Sequence, residues 1–330
     1  MKLAFSTLGC PDFDWPDIYS MAKDFGFSGI ELRGLGNDIF SVRAKPFSKE
    51  GLPKTIEQLQ KKHLEIPCVS TGCALKCKEK AKETQEEIRE YIDLAAKLGA
   101  PYIRILGDLK PAPEGEVDDD FVLEQLKALV PYAEQNDITL LVETNGVYAD
   151  TSRLHNLLNQ VGSDNVAALW DIHHPYRFAG EKPEQTVQNL GNYIKYTHIK
   201  DSILIDGEVQ YRLMGEGDLP VDDIMRALQS INYEGYISLE WLKRYAPNLS
   251  DAGIVFPHFS NFMSQYMEEK REDSRLYDNN LGTGKYVWPK EHLIDLTFPQ
   301  VLDRMVEEFP DQYAFRYTTL DYTRTYSEFR

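Results

Sequence analysis

The sequence predicts an α/β protein: a (β/α)8 TIM barrel followed by a C-terminal linker and a short helical tail. Three observations carry that expectation. Short apolar runs alternate eight times with amphipathic helical stretches within about 265 residues, as the strands and helices of a parallel barrel do. Four of the later runs end in side chains suited to chemistry, at Glu143, Asp171, His198 and Glu240. Their intervals are 28, 27 and 42 residues, and the first two match one strand-helix unit.

In order, Leu3 to Leu8 reads as the first strand, and Trp15 to Phe25 as a helix with Ile18, Met21, Ala22 and Phe25 on one face. Gly29 to Leu32 is the second strand, with a helix from about Leu52 to His63. Ile66 to Ser70 and a charged helix from about Lys80 to Leu98 make the third unit. Tyr102 to Leu106 and Phe121 to Gln135 make the fourth, and Thr139 to Glu143 with Ser152 to Val161 the fifth. Val166 to Trp170 is the sixth strand, an apolar run that delivers Asp171, His173 and His174 to its far end and stops at Pro175. Its helix lies near Pro183 to Leu190. The seventh strand ends at His198, the helix Val221 to Ile231 follows, and the eighth strand ends at Glu240.

An insertion explains the interval of 42 residues. Leu204 to Tyr211 carries Asp206-Gly207 between short apolar-polar runs, which predicts a two-residue hairpin over the barrel mouth. After about Gln265 the pattern changes. Residues 266–290 are charged, then polar and glycine-bearing, and read as a linker. Within 291–330, Phe298 to Pro310 reads as one amphipathic helix with proline near its start and after its end.

Composition narrows the partners. Lys and Arg total 36 against 53 Asp and Glu, a net charge of −17 that repels phosphate backbones and anionic membranes, so no nucleic-acid or membrane partner is expected. No run approaches the ~20 apolar residues of a membrane span. The apolar part of Met1 to Cys10 is shorter than the ~7–15 residues of a signal sequence. Cys10, Cys68, Cys73 and Cys77 match neither a disulfide framework nor a zinc pattern, and read as reduced thiols in a cytoplasmic protein. A homo-oligomer is compatible with the sequence.

Parallel strands at unit spacing would converge Glu143, Asp171, His198 and Glu240. Any one such acid can simply cap a helix or pair with a cation. Three carboxylates and an imidazole together, without cysteine, make a hard site suited to one divalent ion: Mn²⁺, Mg²⁺ or Co²⁺, with Zn²⁺ also accommodated. A metal held this way can chelate the carbonyl and hydroxyl of an α-hydroxycarbonyl compound and stabilise the enediolate formed when a proton leaves carbon. Two glutamates on opposite sides of the substrate would then supply base and acid.

The pattern Glu143-x-Asn145, Asp171-x-x-His174, His198-x-x-Asp201 and Ser238-Leu-Glu240 resembles the xylose isomerase-like TIM barrels, the sugar phosphate isomerase/epimerase superfamily. Ser6-Thr-Leu-Gly, Gly29-Ile-Glu31-Leu-Arg33 and Gly215-Glu-Gly217-Asp218 look like it too, and the resemblance covers residues 1–265. It implies metal ligation by Glu143, Asp171, His198 and Glu240, with Glu143 and Glu240 as the acid/base pair and His174 on the substrate oxygens. Arg212 sits about where ketose 3-epimerases place a substrate-binding arginine. Lys200, Arg33, Arg104 and Trp241 are candidates to line the pocket. His173 should point away from His174 if the strand alternation persists, as a core histidine.

The strand ends lack the extra histidines of endonuclease IV, a three-zinc enzyme on the same barrel, and the extra acidic ligands of two-metal hydride-shift isomerases. The expected activity is therefore single-metal proton transfer through a metal-bound enediolate, isomerising or epimerising a ketose. The alternatives are a dehydratase of an inosose-like substrate on the same site and a non-catalytic polyol-binding module. Thr297 to Leu302, Phe309-Pro310-Asp311, Ala314 to Tyr317 and Tyr326-Ser327-Glu328 resemble the opening of adenylate-forming ligases. That resemblance implies that residues 291–330 are a truncated N-terminal segment of an AMP-dependent ligase, whose remainder would be a covalent partner in a fusion.

Overall fold

The computed structural model describes residues 1–267, 297–317 and 322–330. They fall into two compact units, Met1–Phe262 and Met263–Arg330. In the first, eight parallel strands form the barrel wall: β1 (Lys2–Ser6), β2 (Gly29–Glu31), β3 (Cys68–Ala74), β4 (Tyr102–Leu106), β5 (Thr139–Glu143), β6 (Val166–Asp171), β7 (Ile194–Ile199) and, after a hairpin of β8 (Asp201–Ile205) and β9 (Glu208–Arg212), β10 (Tyr236–Leu239). They pair in the order β2-β1-β10-β7-β6-β5-β4-β3. The two ends of that order meet through Ile30 N–H to Glu65 O (3.0 Å), Leu32 N–H to Cys68 O (3.1 Å) and Ser70 N–H to Leu32 O (2.8 Å), so the sheet all but closes on itself.

Helices α1 (Trp15–Asp24), α2 (Leu52–Lys62), α3 (Ala81–Leu98), α4 (Asp119–Gln135), α5 (Thr151–Val161), α6 (Pro183–Leu190) and α7 (Val221–Ser230) return the chain between strands. Their ends obey local chemistry. Asp14, Asp118 and Asp150 accept first-turn N–H groups, while Gly99 and Gly162 stop α3 and α5 in the left-handed conformation that glycine adopts without cost. The Asp206-Gly207 hairpin forms with φ of 54° and 84°, the turn geometry its sequence demands.

One element escapes the periodicity. Helix α8 (Ala252–Met263) contains Pro257, which reads as a breaker, yet its apolar content is high enough to bury Val255, Phe256 and Phe259. Phe256 packs 4.4 Å from the Phe5 ring, beside Phe27. Strand β3 also runs later than its apolar stretch suggests, with a register shift between Ser70 and Ala74.

The inward rows position the site. Side chains alternate along a strand, so residues two apart share a face. The barrel floor is Ala4, Cys68, Leu141, Ala167, Leu169, Tyr196 and Tyr236. Two residues further along the same faces stand Ser70, Glu143, Asp171, His198 and Ser238, and a further step reaches Lys200 and Glu240. The interior rows of β5, β6, β7 and β10 thus change to ionisable side chains at the carboxyl ends of their strands, where such barrels carry their chemistry.

In the second unit, α9 (Phe298–Glu308) occupies the stretch expected to be helical and starts at a capping box of Thr297 and Gln300. The tail is not helical alone. An antiparallel hairpin of β11 (Tyr313–Tyr317) and β12 (Tyr322–Thr325) follows, then a one-turn helix α10 (Tyr326–Phe329) capped by Thr325 and Glu328. The linker expected over 266–290 lies, beyond residue 267, outside the described residues.

Candidate metal centre and active site

Glu143, Asp171, His198 and Glu240 converge from β5, β6, β7 and the end of β10, each offering one ligand atom within 4.8 Å of the others, and all are buried. His198 fixes the geometry. Its Nε2–H donates to Glu31 Oε2 at 2.9 Å, and Glu31 also accepts from Ser70 Oγ (2.6 Å) and Ser238 Oγ (2.7 Å). This leaves Nδ1 bare. It has no hydrogen-bond partner and lies 3.6 Å from Glu240 Oε1, 3.7 Å from Glu143 Oε1 and 3.9 Å from Asp171 Oδ2. An imidazole facing three carboxylates, its far nitrogen held by a fourth, is kept protonated by their charges when no ion is bound. Once a cation displaces the Nδ1 proton, the four side chains are a donor set that fits a divalent ion.

Two cations brace the carboxylates. Arg104 stands 3.2 Å from Glu143 Oε2 and 3.7 Å from Glu240 Oε1. Lys200, fully buried two residues beyond His198, donates to Asp171 Oδ2 and, at 2.6 Å, to Glu240 Oε2. Asp171 Oδ1 accepts the His173 backbone N–H, so Oδ2 is the oxygen that the lysine shares with the cluster.

The charges respond. Burial pushes the Asp171 carboxyl up to about 7 against the pull of Lys200, with Glu240 and Glu143 adding to the rise. Burial also opposes ionisation of Glu143, but Arg104 and His198 outweigh it and hold that carboxyl below its usual range. Glu240 goes the same way more strongly: burial is overcome by Lys200, His198 and Arg104. The site therefore keeps both glutamates charged while excluding water.

His174 joins the cluster. The chain leaves the extended conformation after Asp171, so His174 turns back with Nδ1 on Thr144 O (3.1 Å) and Nε2 at 3.4 Å from Asp171 Oδ2. The carbonyl requires the proton on Nδ1, and Nε2 is left as an acceptor. Burial and the neighbouring Lys200 hold this imidazole neutral. His173, expected as a core histidine, is buried with Nε2 on Ser202 Oγ at 2.8 Å.

Three of the residues expected to touch substrate have protein partners of their own. Arg212 turns its guanidinium onto Tyr211 O and Gln210 Oε1, both 3.0 Å away on its own strand. Trp241 is buried and donates Nε1–H to Ser250 O at 2.9 Å, bracing the loop after β10. Arg33 reaches the mouth, with N–H groups on Ile39 O and Tyr245 Oη, each at 3.2 Å.

Sequence reasoning gave no role to Glu31, Ser70 or Asp201. Asp201 accepts N–H groups from Ser202, Gly215, Gly217 and Leu219 at 2.8–3.2 Å, and so pins the glycine-rich loop before α7. A Cβ on Gly217 would lie 2.0 Å from Asp201 Oδ1, which is why that position is glycine. The recurring two-residue step was the available signal for Glu31 and Ser70. Ser238→Ala should remove one charge-assisted bond to Glu31, costing about 2 kcal/mol in urea unfolding and about tenfold in metal affinity by calorimetry.

The family model described as xylose isomerase-like TIM barrel matches residues 20–255. The chain belongs to that family. Among curated proteins it is 26% identical over 264 residues to fructoselysine 3-epimerase of Shigella flexneri, covering 74% of this chain and 91% of that one. It is 23% identical over 283 residues to inosose dehydratase of Clostridium beijerinckii, covering 73% and 89%. Among solved structures, the IOLI protein with a bound zinc atom superposes with a TM-score of 0.68 at 18% identity, over 82% of this chain and 100% of that one. The family match ends before the tail, and these comparisons lend no support to the ligase resemblance of residues 291–330. Among the described residues, no helix is long and apolar enough to cross a membrane.

Proposed function

We propose that this chain is a metal-dependent isomerase or epimerase of a ketose, moving a proton on carbon beside a carbonyl, with Glu143 and Glu240 as its acid/base pair. The convergence of Glu143, Asp171 and Glu240 on the unpartnered Nδ1 of His198 carries this reading. Those four residues would hold one divalent ion. Three oxygen donors favour Mn²⁺, Mg²⁺ or Co²⁺, and the imidazole accommodates Zn²⁺. When bound, such an ion supplies electrophilic pull on the substrate's carbonyl and hydroxyl oxygens.

The chain's own residues supply the proton chemistry. Glu143 and Glu240 come from non-adjacent strands and are held ionised by Arg104, so each can accept a proton from substrate carbon. One takes it and the other returns it, which inverts the centre if they act from opposite faces. His174 Nε2 accepts a substrate hydroxyl, and the Lys200 ammonium donates to an oxygen that gains charge. Tyr211, on the hairpin, lies tilted against His173 with ring centroids 5.8 Å apart and helps exclude water. The 3-epimerase relative supports the substrate class at low identity.

A dehydratase is the second reading. It shares the first proton removal, and Lys200, hydrogen-bonded to Glu240, would pass a proton to a departing hydroxyl. The inosose dehydratase relative, at 23% identity, favours it less strongly than the epimerase relative favours the first. Solvent-deuterium exchange into a panel of ketoses and inososes, read by NMR, tests both: Glu143→Gln should slow exchange about a hundredfold to ten-thousandfold while retaining its melting behaviour. Full exchange in a folded Glu143→Gln chain would remove the acid/base assignment.

A further inference from the structure

Charge balance around the site singles out Arg33. Glu31 is paired with His198, Glu143 with Arg104 and His198, Asp171 with Lys200, and Glu240 with Lys200, Arg104 and His198. Arg33 lies within 4.0 Å of no carboxylate among the described residues, although it is only 9% exposed. Buried guanidinium groups are ordinarily paired, because an uncompensated charge away from water is costly. With a divalent ion in place, the four carboxylates would be matched by that ion, Arg104 and Lys200. Arg33 remains the surplus positive charge.

Its position is that of a ligand contact. Arg33 follows Glu31 by two residues on the same face, and Leu32 continues the pairing with β3. Its guanidinium therefore stands one step nearer the barrel mouth than the carboxylate that holds His198. There it lies over Gly72, an exposed glycine of β3 whose Cβ would meet Nη2 at 2.8 Å, so the strand leaves room for it. Arg104 and Glu240 are close enough to act on its charge, Arg104 opposing it after burial. Ile39 O and the hydroxyl of Tyr245 use two of its five N–H donors. Tyr245 is itself 58% exposed on the loop after β10, and can give way to a ligand.

We propose that Arg33 binds an anionic substituent, a carboxylate or a phosphate, carried by the polyhydroxylated substrate at the end remote from the reacting carbon. This rests on the active site proposed above and narrows its substrate class from neutral ketoses to acidic ones. A planar guanidinium offers either anion two parallel N–H bonds, and a site surrounded by negative charge would otherwise repel such a substrate.

The test compares three matched probes on the full chain loaded with Mn²⁺: glucitol, gluconate and a terminal phosphate ester of glucitol, with binding read by calorimetry. Wild type should bind at least one of the two anions about tenfold or more tightly than glucitol, the scale of a charge-assisted hydrogen bond. The tighter anion identifies the natural group. Arg33→Met should abolish the preference with its metal content unchanged, and Arg33→Lys, which keeps the charge, should retain part of it and guards against a folding failure. Equal binding of all three probes by wild type, failure of both anions to bind, or an undiminished preference in folded Arg33→Met would overturn the proposal. An Arg33-dependent preference in a chain that takes up no metal would instead support the anion site and sink the metal reading.

Discussion

Lys200→Met should lower the stability of the metal-free chain by about 3–5 kcal/mol, the scale of breaking a buried ion pair by removing one partner. The ammonium is fully buried and bonds both Asp171 and Glu240. Its loss would leave carboxylates from β6 and β10 facing each other in a water-excluded space, beside Glu143. Urea unfolding followed by tryptophan fluorescence measures the change. A loss under about 1 kcal/mol would show that water or rearrangement solvates these carboxylates, against a burial argument of this size. The same variant reports on the cation site. Mn²⁺ should recover more stability in Lys200→Met than in wild type, because ligand binding to the folded state stabilises by mass action and the lysine no longer draws on Asp171 Oδ2.

The second large effect is on metal itself. Wild type dialysed against Mn²⁺ and then against buffer should retain about one ion per chain by elemental analysis, and Asp171→Ala none, since one of four ligands and the anchor of Lys200 are lost together. Asp171 is fully buried and lies 3.9 Å from the bare nitrogen of His198, so no exposed acid can replace it. Retention of metal by Asp171→Ala would move the site elsewhere. Absence of metal from both would leave Arg104, Lys200 and His198 as the charge partners of the cluster and remove the electrophile from the proposed chemistry.

Much of this was legible in the linear chain. Barrel strands buried on both faces must be apolar along their length, so a strand ending abruptly in Glu143, Asp171 or His198 marks the place where its interior becomes polar. Unit spacing then brings those ends together whatever the helices contain. The hairpin was equally readable, because Asp206-Gly207 favours two positive φ angles in succession. Helix α8 was not, since Pro257 interrupts a local pattern that only packing on Phe5 and Phe27 makes worthwhile.

The sequence by itself determined the barrel, the four converging side chains and their fitness for a hard cation, because those depend on periodicity and on what each strand end carries. Only the tertiary structure decided the partners. Glu31 and His198 are 167 residues apart in sequence and 2.9 Å apart in space, a relation no spacing rule reaches. Whether Arg33 has a counter-charge, which groups Arg212 and Trp241 bond, and which carboxylates Lys200 holds are questions about distances across a closed sheet. A lysine or an arginine on a strand reads the same in the sequence whether it neutralises a neighbour or awaits a ligand, because that depends on groups brought beside it by the closing of the barrel.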